Sequence, residues 1–428
     1  MPNADVLDFI HTPTHAPAFD APLRSMTASS FNSAGELPAV IAMKVARCLI
    51  AGLVLLVVAF QAAAQDVEPT TFWKRIQQKG LYERAWEATR LYENEDNSTI
   101  QAFSVIGRYQ GQYWSVKADE GKADGWENRR FYAGAEALLF HDFTVQVQMK
   151  FSEDFDPVYD GFYQTFVKWS PGEGFSLSVG LLDFLYTGLE RTVSSTKIPT
   201  FERGLLVNQL LPGEIVGAVA QGQSGDFSYR AGVFSGSTYQ EFTTSAGGFG
   251  TVAGVGYKLP LFYSDGSLHL DYLYNHGNAS NKALEPYDHV ISLWHEGKTG
   301  PFGMGVDVTY GHGLDAHPTV FGVTVLPTFV FAKNVLRNGD ALQAVLRYQF
   351  AVSDGDNGLQ LQPRYEQEVV PDGVGDRYQA VYAGINYLIF RDRLKLMAGA
   401  EHSVMHDSAQ DGGAFDGWTY LLGVRVYF

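Results

Sequence analysis

The sequence predicts an all-β protein: a transmembrane antiparallel up-and-down β-barrel of about sixteen strands. Three observations lead there. Apolar and polar residues alternate with a period of two from about residue 100 to the end, the connections between segments are short and long by turns, and the last segment finishes on an aromatic residue. In that last segment Trp418, Tyr420, Leu422, Val424, Val426 and Phe428 form an apolar row. Thr419, Gly423, Arg425 and Tyr427 form a more polar one, with Leu421 the exception. Successive side chains of a strand point to opposite faces, so the two rows meet different surroundings. A strand that crosses a bilayer takes about ten residues, with aromatic residues at both interfaces, and this segment is written that way.

The front of the chain reads as export machinery. Lys44 and Arg47, an apolar run over 48–60 and the small residues Ala62-Ala63-Ala64 form a secretory leader over 43–64, with cleavage after Ala64. Residues 1–42 carry no pattern, and Met43 reads as the true start. Cys48, the single cysteine, falls inside the leader, so the exported chain has none and needs no disulfide in an oxidising compartment. Residues 65–98, with helix formers and apolar residues four apart at Phe72 and Ile76 and at Tyr82 and Trp86, read as a helical or irregular periplasmic lead-in. The barrel domain is 99–428. A formal net charge of -16 argues against nucleic acid as a partner. Beyond the leader no apolar run approaches the ~20 residues of a membrane helix, so only an alternating face can meet lipid.

Taken in order, the first two segments lie near 100–117 and 127–139, joined by the charged, glycine-containing stretch 118–126. A short turn at His141-Asp142 follows. Phe143, Val145, Val147, Met149 and Phe151 then line one face, with Thr144, Gln146, Gln148 and Lys150 on the other. Short turns recur near 170–174, 223–226, 263–266, 297–300, 337–340 and 391–393, rich in Gly, Asn and Asp, which tolerate positive φ. Long connections fall near 153–161, 186–213, 235–249, 276–287, 311–320, 353–376 and 406–415. One rim is trimmed and the other elaborated. An even strand number closes the ring, and a closed ring satisfies every backbone amide that lipid cannot. At this size the lumen holds water, which makes it a passage for small hydrophilic solutes or ions.

The longest connection, 186–213, is not written as a solvated loop. Leu189, Ile198, Phe201, Leu205, Leu206, Leu210 and Leu211 need a surface to pack on, and the barrel's inner wall is the one available. This third extracellular loop is expected to fold in and narrow the lumen, with Arg191, Lys197, Glu202 and Arg203 as constriction candidates. The polar rows of the strands offer Arg108, Arg130, Glu136, Lys150, Lys168, Arg230, Asp271, Asp307, Arg347, Lys395, Glu401 and Arg425 as lumen-lining candidates.

Glu127-Asn128-Arg129-Arg130-Phe131-Tyr132-Ala133-Gly134, the Phe140-His141-Asp142-Phe143 turn, Ser194-Ser195 with Phe201-Glu202-Arg203-Gly204-Leu205, and Ala383-Gly384-Ile385-Asn386-Tyr387 together resemble the phosphate- and polyphosphate-selective porins of Gram-negative outer membranes. The resemblance implies a homotrimeric porin in the outer-membrane bilayer, selective for anions such as phosphate through lumenal Arg and Lys. Phe428 at the C-terminus is the expected handle for the barrel-assembly machinery. The chain departs from the family's prototypes in sharing its lumenal rows with Glu136, Asp271, Asp307 and Glu401. The competing reading is a plugged barrel whose loops bind a ligand or partner, and a soluble exported β protein is a third.

Other signals carry less. Asp154-Phe155-Asp156 and 354–358 lack the closing glutamate of a calcium loop. His312 with His317, and His402 with His406, are too loosely spaced for a metal site. Ser403 and His402 are neighbours on a strand and face opposite ways, which removes a nucleophile–base pair. No cofactor and no enzymatic activity are expected.

Overall fold

The computed structural model describes residues 80–236, 248–276, 285–362 and 364–428. The expected extension 1–42, the leader 43–64 and residues 65–79 of the lead-in lie outside these. Sixteen strands make the wall: β1 (Ile100–Ala118), β2 (Gly121–Leu139), β3 (Phe143–Phe151), β4 (Tyr159–Gly172), β5 (Phe175–Asp183), β6 (Glu214–Ser224), β7 (Phe227–Ser235), β8 (Phe249–Lys258), β9 (Asp265–Asn275), β10 (Tyr287–Thr299), β11 (Phe302–Gly313), β12 (Val320–Lys333), β13 (Ala341–Ser353), β14 (Arg377–Asp392), β15 (Leu394–His406) and β16 (Phe415–Tyr427). Each pairs antiparallel with the next, and β16 pairs with β1 from Gly417↔Ala118 to Tyr427↔Arg108, which closes the ring. No helix among the described residues is long and apolar enough to cross a membrane.

Burial follows the alternation. On β16, Trp418, Tyr420 and Leu422 are exposed while Thr419, Leu421 and Arg425 are buried; on β13, Leu346 and Tyr348 are exposed while Arg347 and Gln349 are buried. The apolar row therefore faces outward to lipid and the polar row inward, the reverse of a water-soluble protein. Leu421, the apolar exception in the inward row, belongs to the same buried cluster as Phe201 of the third long connection.

The first hairpin departs from expectation. The stretch 118–126 is not a loop: β1 and β2 run 19 residues each to a turn at Asp119-Glu120. That is far more than the about ten residues a tilted strand needs to cross, so the charged stretch is strand that projects beyond the bilayer.

At the opposite rim the closure is reinforced. The backbones of Gly107 and Phe428 exchange two hydrogen bonds of 3.0 Å. The Phe428 ring fills the space a Cβ at 107 would take, 2.5 Å from its ideal position, so any side chain there would have to displace the ring. Helix α1 (Leu81–Glu87) docks beside this point, where Trp86 Nε1 donates to Tyr427 O at 2.5 Å and Trp86 packs on Phe390 with ring centroids 5.1 Å apart.

Leu422 sits mid-strand on the outward face and is 59% exposed. Leu422→Arg is expected to destabilise the folded barrel by about 2–4 kcal/mol, as a cation near the bilayer midplane does. Equilibrium urea unfolding in lipid vesicles measures it, and an unchanged midpoint would contradict the assignment of this face.

Candidate functional site

The connection 184–213 between β5 and β6 is the longest in the chain, and most of it is buried: Phe184, Leu189, Ile198, Phe201, Leu205 and Leu210 are each at most 5% exposed. Only one short helix forms in it, α2 (Leu205–Leu210), following Gly204. What fixes its path is a set of polar contacts to inward residues of the wall. The backbone N of Gly188 donates to Asp271 on β9 at 3.1 Å, and that of Leu189 to Asp307 on β11 at 2.8 Å. Lys395 on β15 donates to Ile198 O at 2.9 Å and Asn386 on β14 to Pro199 O at 2.8 Å. Arg425 on β16 donates to the carbonyls of Ser195 and Phe201, and Arg108 on β1 to Ser195 Oγ at 2.7 Å.

Two charge clusters add to this. Arg347 on β13 pairs with Glu190 of the connection and Glu401 on β15, both at 2.8 Å, with all three side chains at most 10% exposed. Arg129 on β2 holds Glu202 through two hydrogen bonds of 2.6 and 2.9 Å. That guanidinium keeps the Glu202 carboxyl well below the usual carboxylate range.

Cavities lie on both sides of the connection. The outer one, about 360 Å³, is lined by Arg130, Lys150, Arg191, Arg203, Glu214 and Arg364 among others. The inner one, about 690 Å³, opens toward the short turns and is lined by Lys197, His269, Glu296 and Lys298 among others. These two cavities share no lining residue.

The expected site residues separate into groups. Asp271, Asp307, Arg347, Lys395, Glu401 and Glu202 fasten the connection, and Arg230 lies 3.6 Å from Asp271. Lys150 pairs with Glu214 at 2.8 Å and Arg191 with Asp183 at 2.9 Å, both facing the outer cavity. Lys197 is exposed on the inner side. Glu136 and Lys168 lie on the inward rows of β2 and β4, opposite Gln146 and Thr144. The remaining four stand apart. Arg108 bonds Tyr163 and Ser195, Arg130 bonds Gln110, Arg203 bonds the carbonyls of Glu190 and Val193, and Arg425 bonds carbonyls alone. Among the described residues none of these four forms an ion pair, all are at most 9% exposed, and the Nε of Arg108 and of Arg425 has no partner. Burial pushes the Glu285 carboxyl on the outer cavity up to about 7, so at neutral pH it offsets only part of a positive charge.

Sequence reasoning missed Arg129, Glu190 and Arg364. Strict alternation allows only one of Arg129 and Arg130 to face inward. The register shift between Gln110 and Gln112 on β1 breaks that alternation and lets both reach the interior. Adjacent arginines opposite a Gln-Gly-Gln stretch are the one local signal of it.

A closed sixteen-stranded barrel with an apolar outside and a charged inside is an outer-membrane channel of the porin class. Residues 103–282 match the family model described as phosphate-selective porin O and P. The fold is shared with the anion-selective porin from Comamonas acidovorans, with a TM-score of 0.52 and 12% identity over 76% of this chain and 99% of that one. It is shared with the outer membrane channel DcaP of Acinetobacter baumannii, at 0.51 and 10% over 79% and 99%. A loop L8 deletion mutant of OmpT of Vibrio cholerae gives 0.50 and 12% over 76% and 99%. No curated protein sequence matches the chain.

Replacing Arg347 by Met leaves Glu190 and Glu401 buried without their cation, which costs about 3–5 kcal/mol for a broken buried pair. Amide hydrogen exchange over 188–203 is expected to speed up sharply while the strands stay protected, and the triple change with Glu190→Gln and Glu401→Gln should restore most of the protection.

Proposed function

We propose that the chain is a passive pore for small hydrophilic solutes, that the connection 184–213 sets its cutoff, and that it favours anions. The observation behind the last point is the group of buried arginines, Arg108, Arg130, Arg203 and Arg425, that bond only neutral partners. Guanidiniums with no carboxylate at ion-pair distance contribute a positive potential between low-dielectric walls, moderated by Asp183 and Glu202 nearby, and that potential favours anions over cations. The family match over 103–282 agrees with that preference, and the relative from Comamonas acidovorans is itself described as anion-selective. The same resemblance implies a homotrimer, which native mass spectrometry in detergent reads directly, and Phe428 as the handle for barrel assembly.

The separation of the two cavities favours a second reading, in which the connection seals the lumen and the outer face binds a ligand. Planar-bilayer recording decides: stepwise currents support a pore, while correctly folded but electrically silent protein supports the sealed barrel.

For the pore, the reversal potential in a salt gradient is expected to report anion preference. Arg130→Gln and Arg203→Gln should each lower the anion-to-cation permeability ratio several-fold, the scale of losing ~1 kcal/mol of local potential. Ratios unchanged in both variants would dismiss these residues as the filter.

A further inference from the structure

A second connection also folds over the lumen. Residues 354–362 and 364–376, between β13 and β14, place a short strand pair, Leu359–Gln360 with Val374–Gly375, and the 3-10 turn Glu366–Glu368 against the outer face of 184–213. Gln362 Nε2 donates to Arg203 O at 3.1 Å, and Gln209 Nε2 donates to Gly358 O at 2.6 Å. Arg364 pairs with Glu127 at 2.8 Å and Glu153 at 2.7 Å, which ties the segment to the far side of the outer cavity. Leu359, Leu361 and Val370 are buried beneath it.

Also beneath it is Glu366, only 2% exposed. Its carboxyl accepts from Ser403 Oγ at 2.7 Å and from the backbone N of Gln362 at 3.1 Å. Glu401 and Ser403 face it from β15, Tyr378 from β14 and Arg347 from β13. Glu202 of the connection below lines the same void of about 20 Å³, room for one water. The cations nearby are committed elsewhere: Arg347 to Glu190 and Glu401, Arg129 to Glu202. Among the described residues Glu366 forms no ion pair, so as an anion it would be buried, unpaired and beside another carboxylate.

We propose that residues 354–362 and 364–376 form a proton-controlled lid over the outer cavity, held down while Glu366 is neutral and loosened when it ionises. Burial, with the Glu401 charge second, pushes this carboxyl up to about 7 in the closed lid; once lifted into water it returns to the ordinary carboxylate range. The closed form thus holds its proton more tightly. Closure is fully favoured at acid pH and weakens as pH rises from that range through about 7. Between about pH 5 and pH 7.5 the closed-to-open ratio should fall roughly 50-fold. The motion stands independently of the pore reading, whereas its effect on passage rests on it.

The test uses the whole barrel in lipid vesicles, with Cys48 absent and spin labels on Glu368→Cys in the lid and Lys117→Cys on β1. Pulsed dipolar spectroscopy from pH 5 to 8 should show the inter-label distances lengthen and broaden with rising pH. Glu366→Gln, which keeps the shape and cannot ionise, should hold the short distance throughout. Ser403→Ala removes a hydroxyl that favours the ionised form and should move the midpoint to higher pH. Distances that do not change with pH, or that change equally in Glu366→Gln, overturn the lid. Bilayer recording of the same samples separates the two readings. Conductance that rises with pH in the wild type and stays low in Glu366→Gln supports gating, whereas a lid that moves in an electrically silent barrel overturns gating together with the pore.

Discussion

A chain that crosses a bilayer as strands must pair its last strand with its first, because an unpaired backbone edge in hydrocarbon costs several kcal/mol per group. The rest of this molecule is arranged around that pairing. It fixes an even strand number, sends lipid-facing and lumen-facing residues to alternate positions, and makes the β16–β1 junction the place where register must be secured. The chain secures it with the glycine at 107, whose missing side chain admits the Phe428 ring, and with Trp86 reaching Tyr427 O from a helix outside the wall. Closure also creates the functional problem, since a ring this wide leaves a lumen that backbone pairing does nothing to fill.

Side chains answer that problem. In the connection 184–213 apolar residues supply packing, yet its path is set by carbonyls and carboxylates meeting guanidiniums, amides and ammonium groups from six of the strands around it. Buried charges are costly unless paired, and here the pairing partners are distributed so that no single wall strand carries the load: Arg347 serves Glu190 and Glu401, Arg129 serves Glu202, and Asp271 and Asp307 accept from backbone amides. The four arginines left with neutral partners are then the informative ones. Of these, Arg130 and Arg203 line the outer cavity, while Arg108 and Arg425 line neither cavity and hold carbonyl and hydroxyl groups of the connection and the wall.

Much of the architecture was legible from the sequence because a period of two is a statement about faces. Trp418, Tyr420 and Leu422 against Thr419 and Arg425 could be sorted without knowing a single contact, and the apolar content of 186–213 marked it as a segment that must pack. The pattern fails where geometry breaks its period. The register shift near Gly111 hid Arg129, and the polar hairpin tip at 118–126 read as loop because strands beyond the bilayer no longer need an apolar row.

Partners are a different kind of information. Glu190 and Arg347 are separated by 157 positions, Tyr365 and Glu127 by 238, and nothing in a local pattern reports that such residues meet. For this reason the sequence could nominate Arg203 as a charge at the narrows but could not tell fastening from filtering. The structure sharpens that distinction. Arg203 spends its hydrogen bonds on the carbonyls of Glu190 and Val193, which hold the chain in place without cancelling the charge. One guanidinium can therefore shape the loop and still present its field to the outer cavity, a combination an ion pair with Glu202 would have prevented.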